Sequence, residues 1–382
     1  MMTRILIIGN GADDKYIGNC LRECRKCDTD LVFDFFNTNL EETSSFRSEV
    51  NQYVTVKRHR PNWIYNIPKV RGYFNQLDLC ISLRDFIGVC QNENIYYDVC
   101  QIHFLNPIYA KIADRLKKIS RKVVITPWGS DVLRAKKYQL RGLRKLVQKS
   151  NWVTCTQGSR FEKDIVTLLD IPKEKLYNLP IGIASIDEIL SRPFITDEQA
   201  KRVWGFEGKY VIVIGYPAHN HIKVIKSLVF MKKQLPTNTI LVCPMTYGGN
   251  PVYRKKIKRL LWNSQFENQI LENYLTAEEL VCLRKATDLF IHAQNTDANS
   301  GTIAEYLLCR KKIVNPTWIT YPHYETYGSP FYSFSNFEEL PQAIMKAIND
   351  TSNKVSPLLT GNISESGWSK LACKWVELYK KY

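Results

Sequence analysis

Short apolar runs alternate with amphipathic stretches along almost the whole chain. Arg4–Ile8, Leu31–Phe36, Val99–Ile102, Val123–Thr126, Trp152–Thr156 and Leu176–Asn178 are short, continuous and apolar, which predicts buried strands. Between them, apolar positions recur at helical spacing over Lys15–Cys27, Leu79–Gln91, Pro107–Ser120, Leu140–Lys149 and Phe161–Leu169. Residues 184–208 are polar and charged, and read as a connector with a helix near 187–204. The pattern then restarts. Tyr210–Ile214, Thr239–Cys243, Asp288–His292 and Lys312–Val314 read as strands; Ile222–Gln234, Tyr253–Trp262, Thr276–Lys285 and Phe337–Asn349 read as helices. A last helix, Ser364–Tyr379, carries Trp368, Leu371, Trp375 and Leu378 on one side. Alternation of this kind predicts α/β architecture: two Rossmann-like units, each a parallel sheet between helices. Their expected bounds are 1–183 and 184–363, with 364–382 as a closing helix.

Composition narrows the picture. A chain of 382 residues that is 45% hydrophobic can bury two cores. No window is apolar enough to span a bilayer, and the first residues enter a strand without a secretory signal. The eleven cysteines lie mostly in apolar runs, which predicts reduced, buried thiols in a cytoplasmic protein rather than a disulfide frame. A net charge of +16 calls for an anionic partner.

The candidate chemistry centres on Gln294 to Glu305. A small polar turn follows an apolar strand and opens a helix that continues through Ile303, Leu307 and Leu308. Such a turn points free N–H groups at whatever lies above the helix N-terminus, and a diphosphate suits that position. Ser300, Gly301 and Thr302 would bind it, and Glu305 would accept hydrogen bonds from vicinal hydroxyls. Together these would hold a nucleotide-sugar.

This segment resembles the donor site of the retaining family-four glycosyltransferases of the GT-B fold. Asp297-x7-Glu305 stands where they carry Glu-x7-Glu. Tyr97 to His103 is similar to their first-domain strand ending in histidine, and Trp128-Gly129-Ser130-Asp131 to their Trp-Gly-x-Asp turn. The stretches Leu275–Leu280 and Thr287–Ile291 resemble the helix and strand leading to the donor site. Trp128 to Asp131 taken with Cys243 to Asn250 is also similar to the bacterial 4-acetamido-4,6-dideoxygalactose transferases, inverting enzymes of the same fold. The resemblance implies GT-B architecture, two Rossmann-like domains facing across a cleft, with the C-terminal helix crossing back to the first. It implies an acceptor domain first and a nucleotide-sugar domain second, with no metal and no cofactor beyond the donor itself. Retention and inversion both stay open.

By the same resemblance, Gly215, His221 and Lys223 would contact the donor diphosphate, although the family's arginine is missing from this loop. His103 would orient the sugar or take the acceptor proton, Asp131 would be a base or a helix cap, and Asp297 would act on the donor sugar. Gly9, Asn10, Gly11, Trp128 and Gly129 would line the cleft. The Gly9-Asn10-Gly11 turn lacks the third glycine of a dinucleotide fingerprint, which argues against a nicotinamide enzyme. Cys20-x3-Cys24-x2-Cys27 has iron–sulfur spacing but lies on one helix face. Asp28-Thr29-Asp30 spells a metal motif, but lies between a helix and a strand, away from strand ends.

The charge is concentrated in the first half. From Lys111 to Lys149 there are thirteen Lys or Arg and two Asp. Arg58, Arg60, Lys69 and Arg71 alternate with Trp63, Tyr65, Tyr73 and Phe74, a composition suited to anionic headgroups. No nucleic-acid module is present. The chain therefore reads as a peripheral glycosyltransferase on the inner face of a membrane. Its donor would be a nucleotide-diphosphate sugar and its acceptor lipid-linked or a growing polysaccharide. A sugar-nucleotide epimerase or a silent partner-binding scaffold of the same fold are the alternatives. Oligomeric state is not readable.

Overall fold

The computed structural model describes residues 2–40, 46–215, 220–246 and 250–381. Residues 216–219, between Gly215 and His221, and residues 247–249 of the Cys243 to Asn250 motif lie outside the described residues. Two compact units divide the chain: residues 1–184 with 368–382, and residues 185–367.

The first unit holds strands β1 (Thr3–Gly9), β2 (Leu31–Asn37), β3 (Gln52–Thr55), β4 (Tyr97–His103), β5 (Ser120–Thr126), β6 (Trp152–Cys155) and β7 (Leu176–Asn178). All neighbours are parallel, in the order β3-β2-β1-β4-β5-β6-β7. The sequence order reverses between β1 and β4. Ligands of open α/β sheets bind at such a reversal, beyond the carboxyl ends of the strands. Helices α1 (Asn19–Cys27), α2 (Pro68–Asn92), α3 (Lys137–Lys149) and α4 (Arg160–Leu169) cover this sheet together with a C-terminal helix described below.

The second unit begins with α5 (Ala184–Leu190), whose first residue lies at the division. Its strands are β8 (Tyr210–Ile214), β9 (Thr239–Pro244), β10 (Glu267–Leu271), β11 (Leu289–Ile291), β12 (Lys312–Pro316) and β13 (Phe331–Phe334). They too are all parallel, in the order β10-β9-β8-β11-β12-β13, with the reversal between β8 and β11. Helices α6 (His221–Phe230), α7 (Pro251–Asn263), α8 (Ala277–Ala286), α9 (Gly301–Leu308) and α10 (Leu340–Asn349) complete the unit. The apolar sides of α6, α7 and α10 meet Ile212, Leu241 and Val314 of the sheet in one buried cluster.

Helix α11 (Trp368–Lys380) returns to the first unit. Trp368, Leu371 and Trp375 bury against the β1–β2 face and α1, and the Trp375 indole donates to the Pro180 carbonyl at 3.1 Å. The side with this aromatic stripe is thus the packed side.

Three expectations need correction. The helix placed at Pro107–Ser120 is two short pieces, Pro107–Lys111 and Ala113–Leu116, and Ser120 already belongs to β5. The helix near 187–204 is broken into α5 and Asp197–Trp204. Pro193 explains the break, because it lacks an N–H and turns its predecessor away from helical geometry. The cysteines are not all reduced: Cys27 and Cys373 form a disulfide joining the ends of α1 and α11, while the remaining cysteines are free. Cys27 is thereby removed from any cluster with Cys20 and Cys24. Asp28 of the Asp-Thr-Asp motif pairs with Lys380.

Candidate functional site

In the second unit, two loops meet at the strand-order reversal. Gly215 follows β8, and its N–H donates to the Ile291 carbonyl at 2.9 Å. A Cβ there would press on that same oxygen, so only glycine allows the two strand ends this approach. Asn220, ahead of α6, does not cap the helix. Its amide instead donates to the Ala293 carbonyl at 2.8 Å and to Asn295 Oδ1 at 2.7 Å, tying the β8 loop to the loop after β11.

That second loop runs from His292 to Ser300 and opens α9. Ser300 caps the helix, its Oγ accepting from Ile303 N at 3.3 Å. The N–H groups of Gly301 and Thr302 have no protein acceptor among the described residues, so the helix terminus presents two free donors. These are the residues to which the sequence reading gives the donor diphosphate.

The acid pair behaves otherwise. Glu305 is 1% exposed. One of its oxygens accepts from the Ser185 hydroxyl, and the other from Arg284 Nε at 2.7 Å. Arg284 in turn donates to Tyr306 Oη at 3.1 Å. The structure thus places Glu305 as one half of a buried ion pair, not as a carboxylate open to ribose. Asp297 is also committed. Its carboxylate accepts from Tyr321 Oη at 2.9 Å and from Ala298 N at 2.8 Å, and lies 3.2 Å from His292 Nε2. Burial alone would raise its pKa; the His292 and Tyr321 contacts outweigh that and lower it. Asn315 donates both amide hydrogens to carbonyls, so its Oδ1 accepts from His292 Nδ1 at 2.8 Å. Asp297 thus ties the loop to Tyr321 and His292.

His221 is buried in the first turn of α6. Lys223 is exposed in the same turn, with Nζ 4.6 Å from the centre of the Phe337 ring.

In the first unit, β1 and β4 end side by side at the reversal. A Cβ on Gly9 would lie 3.5 Å from His103 Cβ. Gly11 N donates to Asn37 Oδ1 at 2.8 Å, and Asn10 Oδ1 accepts from Ala12 N at 3.1 Å, so this turn is held by its own amide and by the end of β2. His103 is 3% exposed, and its Nδ1 accepts from the Trp128 indole at 3.3 Å. Nδ1 therefore carries no proton, and the proton of the neutral ring sits on Nε2, which has no partner among the described residues. Burial pushes the ring's pKa down to about 3. His103 is a hydrogen-bond donor awaiting an acceptor, not a base.

Asp131 also departs from expectation. Its carboxylate accepts from Leu105 N at 2.7 Å, Gly129 N at 2.8 Å and Trp128 N at 3.1 Å. Gly129 sits at φ 106°, a conformation glycine adopts readily. In the Trp128-Gly129-Ser130-Asp131 turn the Asp131 carboxylate, inside the first turn of a short helix at Ser130–Leu133, is wrapped in backbone amides that precede the helix, and burial raises its pKa against those bonds. Beside it lies a cavity of about 210 Å³ lined by Phe104, Asn106, Ser130, Asp131 and Arg134.

Sequence reasoning passed over Asp13. It follows the Gly9 to Gly11 turn and precedes a wide helical turn, Asp14–Gly18, in which Tyr16 packs on Trp128 with ring centres 4.9 Å apart. Its carboxylate has no hydrogen bond or ion pair among the described residues, and burial pushes its pKa up to about 6. An acid in the loop after the first strand, off the carboxyl edge of the sheet, was the available signal.

Of the basic rim, Arg58 donates to Asn62 Oδ1 and stacks on Tyr65, and Arg60 pairs with Asp78 at 3.4 Å. Lys69 and Arg71 are exposed beside exposed Trp63 and Tyr73.

Two parallel-sheet units, each with a loop site at its strand-order reversal, define the GT-B fold. Comparison with solved structures bears this out over the full length. The structure is similar to sucrose-phosphate synthase from Thermosynechococcus elongatus, with 12% identity, a TM-score of 0.72, and coverage of 99% of this chain and 98% of that one. It is similar to Anabaena HepE in complex with UDP and glucose, with 13% identity, a TM-score of 0.69 and complete coverage of both chains. It is also similar to UDP-GlcNAc 2-epimerase from Neisseria meningitidis bound to UDP-GlcNAc, with 16% identity, a TM-score of 0.62 and complete coverage of both chains. No family model and no curated protein matches the sequence. Among the described residues, no helix is long and apolar enough to cross a membrane.

Proposed function

We propose that this protein is a glycosyltransferase that moves a sugar from a nucleoside-diphosphate donor to a lipid-linked or polysaccharide acceptor in cell-surface glycan synthesis, without a metal. The observation that carries this reading is the pair of free N–H groups on Gly301 and Thr302, at the strand-order reversal of a GT-B unit. The α9 terminus and Lys223 would hold the diphosphate and stabilise its charge as the glycosidic bond breaks. His103 would donate from Nε2 to a sugar hydroxyl. Asp13 would take the proton of the acceptor hydroxyl, the part for which the sequence offered His103 or Asp131. Lys69 and Arg71, with Trp63 and Tyr73, would place the acceptor end against an anionic membrane at its inner face.

The likeness to an epimerase bound to UDP-GlcNAc supports a second reading, in which the donor sugar is altered and not transferred. A thermal-shift screen of UDP, GDP, dTDP and CDP and their sugars tests both. A ligand at a hundred times its Kd stabilises the folded state by about 2.7 kcal/mol. Gly301→Asp, which sets a carboxylate where the diphosphate would lie, should abolish the shift. A screen with no shift for any nucleotide would sink the donor site. An altered free nucleotide-sugar without acceptor would favour the epimerase.

A further inference from the structure

Helices α6, α7 and α10 cover one face of the second sheet, and every charged side chain on them is Lys or Arg. Solvated helix faces ordinarily mix both signs. Some of these cations are internally engaged: Lys258 pairs with Glu272, and Lys223 sits on Phe337. Lys226, Lys233, Lys255, Lys256 and Arg259 are exposed and have no ion pair among the described residues.

The same layer carries large apolar side chains in water. Trp262 is 84% exposed, Phe230 82% and Val252 77%, the three highest exposures of large apolar residues among the described ones. Along α7, Val252, Lys255, Lys256, Arg259 and Trp262 fall at helical spacing on the side opposite the buried Ile257 and Leu261. Phe230 ends α6 and Trp262 lies in the last turn of α7. Lys232 fixes these two ends side by side, because its Nζ donates to the Gln265 carbonyl at 2.7 Å and stacks on Phe266. Two exposed aromatic rings therefore sit at a common end of two neighbouring helices, flanked by unpaired lysines.

We propose that this face docks on an anionic lipid bilayer, with Phe230 and Trp262 entering the headgroup layer and the lysines and Arg259 facing lipid phosphates. The charge complementarity chooses this occupant. Long lysine stems spread around two rings suit a fluid anionic interface, where aromatic residues settle at headgroup depth. A folded acidic partner would need pockets matched to both rings. The inference is independent of the donor site, and it adds a surface in the second unit to the rim of the first.

The test is cosedimentation of the full chain with vesicles of phosphatidylcholine alone, or with about one third phosphatidylglycerol, at low and high salt. Wild type should bind the anionic vesicles, release at high salt as screening shortens electrostatic reach, and ignore the neutral ones. The charge variant Lys255→Glu/Lys256→Glu/Arg259→Glu should weaken binding by more than about tenfold. The ring variant Phe230→Ser/Trp262→Ser should weaken it severalfold. All five positions are exposed, and unchanged thermal unfolding would confirm folding. The rim variant Lys69→Glu/Arg71→Glu should leave a residue of binding that the charge variant of α7 then removes. Wild type that fails to bind anionic vesicles overturns the proposal. So do α7 variants that bind like wild type, and a dimer in size-exclusion chromatography that the ring variant splits without change in vesicle binding. That last result would assign the face to a second copy of this chain.

Discussion

Glu305→Ala is the most informative single change. The resemblance makes Glu305 a ribose ligand, and its loss would then weaken nucleotide binding and leave the fold intact. The structure predicts the opposite order of effects. Removing the carboxylate strands the Arg284 guanidinium, which is only 10% exposed, and deprives the Ser185 hydroxyl of its acceptor. Breaking one side of a buried ion pair costs about 3–5 kcal/mol. For a unit of this size each kcal/mol lowers Tm by about 2–4 °C, so the second unit should melt roughly 6–20 °C lower. Calorimetry of the full chain measures the shift. Glu305→Leu with Arg284→Met should recover most of the loss, since apolar replacement of a whole buried pair is often neutral. Below both melting points, nucleotide affinity per folded molecule should fall far less than stability does. A Glu305→Ala protein that melts within about 2 °C of wild type and no longer binds nucleotide would refute this reasoning. It would show a carboxylate free for ligand and an arginine that does not need it.

Asp13→Asn should lower turnover by about 10²–10⁴-fold while the nucleotide thermal shift stays intact. Wild-type activity should rise with the ionisation of this group near pH 6. Because its folded pKa is raised, the folded state takes up the proton more readily than the unfolded chain, so this group's contribution to stability improves as pH falls through about 6. Asp13→Asn should therefore stabilise at pH 8 and change little at pH 4; the reverse would remove Asp13 from its half-buried, unpaired setting. His103→Phe should cost about tenfold or more in turnover. Because the ring stays neutral above about pH 3, the wild-type rate profile should lack a histidine limb near 6.5, and a limb there that vanishes in His103→Phe would contradict the assigned tautomer. Cys27→Ser, compared with wild type in denaturant without reductant, should lose about 2–4 kcal/mol, and equal curves would mean the disulfide to Cys373 does not form.

The central strands were legible because buried parallel strands are continuous apolar runs; Tyr210–Ile214 is bounded in the structure as its sequence suggests. The strands missed from sequence, Gln52–Thr55, Glu267–Leu271 and Phe331–Phe334, are all at sheet edges. With one neighbour and an open side, Glu267-Asn268-Gln269 can be polar without cost, so no apolar run marks it. The loop between β11 and α9 was visible as small residues between a strand and a helix. The roles of its acids were not. Asp297 and Glu305 have the spacing of a donor site, yet their partners, Tyr321 and Ser185 with Arg284, are remote in sequence. The turn at Trp128 posed the same difficulty, because a base and a carboxylate wrapped in backbone amides share one spelling.

These side-chain commitments bear on stereochemistry. The retaining resemblance rested on Asp297 and Glu305, and both are engaged within the second unit. The lysine and arginine expected in the β8 loop are represented by a buried His221 and an exposed Lys223. An inverting transfer instead needs a carboxylate or imidazole free to accept a proton from the acceptor. Neutral His103 already accepts from the Trp128 indole at Nδ1, and the Asp131 carboxylate is occupied by backbone amides. Asp13 is half-buried, has no hydrogen bond or ion pair among the described residues and lies off the carboxyl end of β1, which is why the proposed transfer gives it the acceptor proton and runs with inversion. Once the thermal-shift screen has supplied a donor, the anomeric configuration of the product decides it: retention would leave Asp13 without a proton to take and return the chemistry to the donor loop.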